Sequence, residues 1–180
     1  MKTALVLFAE GSEELEAVTI VNILRRAGVT VTLAGLCEGA LRGSRGITLQ
    51  PDITLDAVLN DDFDMLVLPG GMPGTRHLQA DARVIKLAQD MSKLGRYVTA
   101  ICAAPMVLAS AGVLDGKRAT CYPTCLDEFP GVQLQTEGVV EDGKLITSRG
   151  PGTAMDFALT LAERLTGKAR RDEVEAGLVR

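Results

Sequence analysis

Thr3–Ala9 is a continuous apolar run, and Phe63–Leu68 reads almost the same way. Such runs suit strands buried on both faces, as in a parallel sheet. Between them, Leu15, Val18, Ile23 and Leu24 recur at helical spacing. Ser12 is placed to cap that helix, Glu13, Glu14 and Glu16 load its start with negative charge, and Gly28 stops it. Val29–Ala34 reads as a second strand, so the chain opens with a β-α-β unit, which predicts a right-handed parallel crossover. Gly35–Arg45 is less regular. Ile47–Gln50 is read as a short strand and Leu55–Leu59 as a short helix, while Pro69–Gly74 cannot be regular structure. Ala82–Leu94 is an amphipathic helix stopped by Gly95. The β-prone run Tyr97–Ile101 leads into a helix that continues to about Ala111. Arg118–Tyr122, Val132–Gln135, Gly138–Glu141 and Lys144–Thr147 are expected as short strands, with Asp142-Gly143 as a hairpin turn. Thr153 and Asp156 have capping-box spacing before a helix whose Phe157, Leu161 and Leu165 share a face. Lys168–Glu175 adds a last helix. Alternating strands and helices predict an open α/β sandwich that binds ligands outside the carboxyl ends of its strands.

Three loops fall at such ends: Glu10–Glu16, Gly70–Gly74 and the turn at Cys102. Cys102 sits where a strand gives way to a helix, with Ala100 and Ala104 two residues away on each side. That resembles the small-x-nucleophile-x-small pattern of a nucleophile elbow. A thiol there faces the positive end of a helix, and Pro105 fits the first helical turn. The competing reading is a buried core cysteine. One of Glu13, Glu14 and Glu16 could exchange a proton with the thiol, and helical spacing does not choose among them. Gly70-Gly71 could offer backbone N–H groups to an oxyanion. His77 is the single histidine, so a Cys–His dyad has no other partner to draw on.

Composition narrows the function further. The chain has 180 residues, which predicts one domain, 1–180, with a sizeable core. Net charge is −4 and aromatics make up 3 % with no tryptophan, which argues against sequence-specific nucleic acid binding. Cysteines stand at 37, 102, 121 and 125 without a C-x-x-C, so no metal site is expected and a reducing cytoplasm fits. Ala4–Ala9 is too short for a signal-peptide core, and no stretch approaches a membrane span. No phosphate-binding loop occurs, so no cofactor is indicated.

Together these residues resemble the ThiJ/PfpI superfamily, closest to its parkinsonism-associated deglycase branch and bacterial YajL-like members. The resemblance rests on Gly11–Glu16, Leu24–Gly28, Ser44-Arg45-Gly46, Val67–Gly71, Ala100–Pro105 and Thr147–Thr153, in the family's order along nearly the whole chain. It implies a flavodoxin-like three-layer sandwich with a mostly parallel sheet, and a homodimer. It makes Cys102 the nucleophile, Glu16 its protonated partner, the Gly71 and Ala103 N–H groups an oxyanion pocket, and Arg26 and Arg45 interface arginines near the site. A protonated Glu16 that donates to the sulfur in a partly desolvated site, with the helix start acting in the same direction, predicts a Cys102 pKa below about 6.5. It also implies a cofactor-independent glyoxalase III-type lyase or deglycase hydrolase acting on methylglyoxal, glyoxal or glycated proteins under oxidative and carbonyl stress. The alternative is a redox-sensing chaperone in which Cys102 is oxidised rather than turned over. Many relatives have His where this chain has Tyr122, and that departure disfavours the protease branch.

Overall fold

The computed structural model describes residues 1–180. Strand β1 (Thr3–Phe8) is fully buried from Ala4 onward, and its side chains alternate between two layers. Ala4 and Val6 join one hydrophobic cluster, Leu5 and Leu7 the other. A strand covered on both faces has no polar positions to alternate, which is why the run is continuous. Each large side chain so buried contributes about 1.5–3 kcal/mol.

The chain continues through α1 (Glu14–Arg26), β2 (Thr30–Gly35), β3 (Leu41–Arg42), β4 (Thr48–Leu49), β5 (Ile53–Thr54), α2 (Leu55–Val58) and β6 (Met65–Leu68). Next come α3 (Gly74–Ala80), α4 (Ala82–Lys93), β7 (Tyr97–Ile101), α5 (Pro105–Ser110), β8 (Arg118–Ala119) and β9 (Gln133–Leu134). The hairpin β10 (Val139–Asp142) and β11 (Leu145–Ser148) then leads through a 3₁₀ turn at Pro151–Thr153 to α6 (Ala154–Thr166) and α7 (Lys168–Gly177). One seven-stranded sheet runs β10-β11-β7-β6-β1-β2-β5, parallel except for edge strand β10. Ile20, Ile23 and Leu24 of α1 pack with Phe157 and Leu161 of α6 on one face. Leu78 of α3, Val84 and Ala88 of α4 and Val107 of α5 cover the other. This is the flavodoxin-like three-layer sandwich. Strand order reverses between β1 and β6, so the crevice at their carboxyl ends is the topological switch point. No helix is long and apolar enough to cross a membrane.

Several local expectations are corrected. Ser12 does not cap α1. Its Oγ accepts the Ala9 N–H at 3.1 Å, fastening the loop back onto β1, and Glu13 occupies the cap position without a side-chain cap bond. Thr153 likewise turns away from α6, its Oγ1 bonding Gly150 and Ser148. Arg118–Tyr122 is a strand only at Arg118–Ala119, paired with β9 in a small separate sheet. Helix α3 begins at Gly74, inside the stretch read as irregular. Strand β4 falls inside Ile47–Gln50, the stretch read as a short strand, while the two-residue strands β3 and β5 are too short for any periodic signal.

Candidate active site

Cys102 directly follows β7 with φ +64, a left-handed conformation rarely adopted outside glycine. Such a residue costs about 1–3 kcal/mol and persists only where its surroundings hold it. Here Cys102 N–H donates to Ser148 O at 2.9 Å, and Cys102 O accepts from Tyr122 N–H at 2.7 Å. Ser148 is itself fixed, its Oγ lying 2.7 Å from both Gly138 O and Thr153 Oγ1. The turn Cys102-Ala103-Ala104 then enters α5, with Pro105 at its first position. Neither Ser148 nor the Tyr122 amide stands out in the sequence. Ser148 lies in a quoted motif, but its role passes through a backbone carbonyl that no residue type announces.

The three glutamates separate clearly. Glu16 is completely buried, and its Oε2 accepts the Gly70 N–H at 2.8 Å. Its Oε1 is buried with no hydrogen-bond partner, and the carboxyl borders the Cys102 thiol. Glu14 faces the neighbouring loop, where its Oε1 accepts N–H bonds from Arg45 at 2.9 Å and Ile47 at 3.1 Å. Glu13 Oε2 accepts the Ser44 hydroxyl at 2.7 Å and borders the cavity. Three acids within one turn of sequence therefore hold three different structures together. Only long-range partners distinguish them, which is why helical spacing could not.

Glycines bring the loops this close. A Cβ on Gly70 would lie 2.6 Å from Cys102 Cβ, 3.0 Å from Ala103 N and 3.0 Å from Glu16 Oε2. Gly71 has φ +87, and a Cβ there would meet Glu13 N at 2.4 Å. The Gly70 N–H is taken by Glu16, so Gly70 organises the carboxyl rather than offering its amide to a ligand. The Gly71 and Ala103 N–H groups interact with the Cys102 sulfur.

Electrostatics couple the thiol and the carboxyl. Burial pushes Glu16 up to about 7, against the Gly70 N–H and the Cys102 thiol, which hold it down. Burial, then the charge and hydrogen bond of Glu16, push the Cys102 thiol up to about 12, against the Gly71 and Ala103 amides. Two adjacent buried anions are thus disfavoured, and the pair titrates as a unit. It gives up one proton near 7 and keeps the second. A Cys102 pKa below about 6.5 does not fit this site, because burial and the charge of Glu16 outweigh the donated carboxyl proton and the helix start on which that expectation rests.

A cavity of about 520 Å³ opens over Cys102, walled by Gly71, Ala103, Tyr122, Cys125, Glu13 and Arg45. Glu16 does not line it and lies behind the sulfur. Arg45 extends over the rim, its Nε 3.8 Å from Glu13 Oε2. Arg26 is not brought to this cavity. It stands at the far end of α1, bonded to Asn22 Oδ1 at 2.8 Å, and lines a separate groove with Val18 and Leu49. His77 is exposed, its Nδ1 2.8 Å from Glu10 O, and does not line the cavity. Cys121 is buried in the layer opposite Cys102, and Cys37 is exposed. No three His, Cys, Asp or Glu side chains cluster in a metal-holding arrangement.

Known proteins share this architecture. Residues 2–164 match the family model described as the DJ-1/PfpI family. Protein dj-1beta of Drosophila melanogaster is 45 % identical over 181 residues, covering 99 % of this chain and 97 % of that protein. The crystal structure of Drosophila melanogaster DJ-1beta matches with a TM-score of 0.96, covering 99 % and 97 % of the two chains. An oxidized DJ-1 from Toxoplasma gondii matches with a TM-score of 0.96 at 36 % identity, covering 99 % and 98 %. The glutathione-independent glyoxalase DJR-1.2 of Caenorhabditis elegans is 35 % identical over 176 residues, covering 96 % of this chain and 94 % of that protein. A family model spanning most of the sequence, with full-length relatives at these identities, makes this chain a member of the DJ-1/PfpI family.

Proposed function

We propose that this chain is a cofactor-independent glyoxalase acting on methylglyoxal, glyoxal or their early adducts, with Cys102 as nucleophile and Glu16 as its proton partner. One observation carries the reading. A fully buried carboxyl sits behind the only cysteine on a left-handed strand-to-helix turn, with one oxygen lacking any hydrogen-bond partner. A carboxyl so placed favours its protonated form and can pass that proton to a neighbouring group. The named glyoxalase activity of the worm relative supports the same reaction class.

With one proton left between them, the Glu16 carboxylate takes the thiol proton as the sulfur attacks, so the pair reacts as thiolate and carboxylic acid. The sulfur attacks the aldehyde carbon of methylglyoxal, and the carbonyl oxygen takes the proton from Glu16 to give a hemithioacetal. The Gly71 and Ala103 N–H groups stabilise negative charge as it develops on that oxygen. Glu16, now ionised, accepts a proton as the hemithioacetal carbon loses its hydrogen to an enediol. The proton returns to the adjacent carbon, leaving a thioester that water hydrolyses to lactate and free thiol. The net reaction adds one water to methylglyoxal. A hemiaminal adduct offers the same carbon to the sulfur with an amine as leaving group, which is the deglycase form of the chemistry. In the redox-sensing alternative, the same amides would hold an oxygen on oxidised Cys102. Lactate formation from methylglyoxal in amine-free buffer decides between them. The glyoxalase reading requires many turnovers per chain and none from Cys102→Ser, while a stoichiometric reaction that ends with oxidised Cys102 supports redox sensing.

We also infer a homodimer, as the family resemblance implies. Leu15 and Val18 on α1 are 51 % and 48 % exposed, and Arg26 lies beside Val18 in the α1 groove. Apolar side chains concentrated on one exposed helix face support a partner surface there.

A further inference from the structure

Cys125 is the second thiol in the wall of the Cys102 cavity. It is half-buried, free and packed against both hydrophobic layers. Its backbone is tied to that of Cys102 by two successive hydrogen bonds. Tyr122 N–H donates to Cys102 O at 2.7 Å, and Cys125 N–H donates to Tyr122 O at 3.1 Å. Residues 121–131 contain no helix or strand, so this wall is built from turns that can adjust. Cys121 is less suited to meet Cys102, because it is 3 % exposed, absent from the cavity lining and packed in the opposite layer.

We propose that Cys125 is a resolving thiol for Cys102, closing a disulfide across the cavity after a hydroperoxide has oxidised Cys102. The inference rests on the reading of Cys102 as the reactive thiol, and adds a fate for it that the glyoxalase cycle does not include. In the first step the Cys102 sulfur attacks the distal oxygen of the hydroperoxide. The O–O bond breaks, Cys102 becomes a sulfenic acid, and water or an alcohol leaves. In the second step the Cys125 sulfur attacks the sulfenic sulfur. The S–S bond forms, the S–O bond breaks, and the Cys125 proton departs with the hydroxyl as water. Burial pushes the Cys125 thiol up, a shift that the charge of Arg76 only partly offsets.

The disulfide and further oxidation compete for the same intermediate. A second peroxide converts sulfenic to sulfinic acid, which thiols do not reduce. A resolving thiol diverts Cys102 into a reversible form and blocks the cavity while it lasts. The redox input would then switch the site off without destroying it.

The test treats wild type, Cys125→Ser, Cys125→Ala and Cys121→Ser with graded hydrogen peroxide. Non-reducing peptide mass spectrometry and activity before and after dithiothreitol are recorded, each normalised to that variant's untreated activity. The proposal expects a Cys102–Cys125 linked peptide, lighter by two hydrogens, in wild type and in Cys121→Ser. It also expects dithiothreitol to restore activity in both, and both Cys125 variants to accumulate sulfinic Cys102 with loss of that recovery. Sulfinic Cys102 in wild type, at the rate seen in Cys125→Ser and without a linked peptide, overturns the proposal and leaves the reactive-thiol reading standing. Cys102 left intact while other cysteines oxidise overturns both.

Discussion

Glu16 Oε2 takes the Gly70 N–H at 2.8 Å, joining the first turn of α1 to the loop after β6. The bond works because Gly70 has no side chain. The space a Cβ would occupy is shared by Cys102 Cβ, Ala103 N and Glu16 Oε2. Three loops from three strands thus meet on one glycine at the switch point of the sheet.

Gly70→Ala should disrupt this meeting. Backbone and a short side chain surround the new methyl, so the neighbours cannot move aside independently. Overpacking of this kind costs about 1–3 kcal/mol. Thermal unfolding should shift down and methylglyoxal turnover should fall steeply. Gly177→Ala, where nothing lies within 4 Å, should change neither. Equal behaviour of the two variants would count against the packing argument.

Glu16 should also make stability depend on pH. Its folded pKa is raised from 4.5 to about 7, so between those values the native state holds a proton that the unfolded state has released. Stability therefore falls as pH rises through that window, by about 3 kcal/mol in all. Glu16→Gln cannot ionise and should flatten the dependence. Denaturant unfolding at intervals from pH 4.5 to 7 measures it. A wild-type stability that rises over this range, with Glu16→Gln following in parallel, would remove Glu16 as the cause.

Glu14 should behave in the opposite sense. Burial pushes its carboxyl up, but N–H bonds from its own backbone, Ile47 and Arg45 and the Ser44 hydroxyl outweigh that and hold it below 4.5. Its contribution is present above that value and is lost as pH falls through the lower folded pKa. Glu14→Ala orphans the Arg45 and Ile47 amides and should cost about 1–3 kcal/mol. Hydrogen exchange at those two amides should accelerate while exchange in β1 stays slow. Unchanged exchange at Arg45 and Ile47 would mean that Glu14 does not hold the loop.

The α1 surface should mediate self-association. Sedimentation of wild type at micromolar concentration should give a dimer, and Val18→Glu should shift it toward monomer with its circular dichroism retained. A monomeric wild type would remove the partner role assigned to Arg26 and Arg45.

The buried strands were readable because hydrophobic continuity is a local signal. Leu5–Phe8 and Leu66–Leu68 have no polar positions since helices cover both faces of the sheet. The strand-to-helix turn at Cys102 was readable from the small residues around it. Choosing Glu16 over Glu13 and Glu14 from the residues alone was not possible, because the choice depends on Gly70, Ser44 and Ile47, all distant in sequence. The resemblance to relatives supplied that choice. Ser12 and Thr153 carry the right chemistry for caps, but hydrogen bonds to the backbone three residues earlier turn both hydroxyls toward the preceding loops. The thiol's environment was misjudged for a related reason: the extent of its burial is a property of the assembled layers, and it outweighs the helix start and the donated carboxyl proton.

In the proposed mechanism Cys102 and Glu16 act as one unit sharing a single proton above pH 7. The pH profile of kcat/KM for methylglyoxal, measured on wild type and Glu16→Gln, tests it most directly. Wild-type activity should rise through an apparent pKa of about 7, where the pair releases its first proton. Glu16→Gln keeps a hydrogen-bonding amide but no transferable acid proton, so it should lose that inflection together with most of the activity. An undiminished Glu16→Gln with the same inflection would contradict the account.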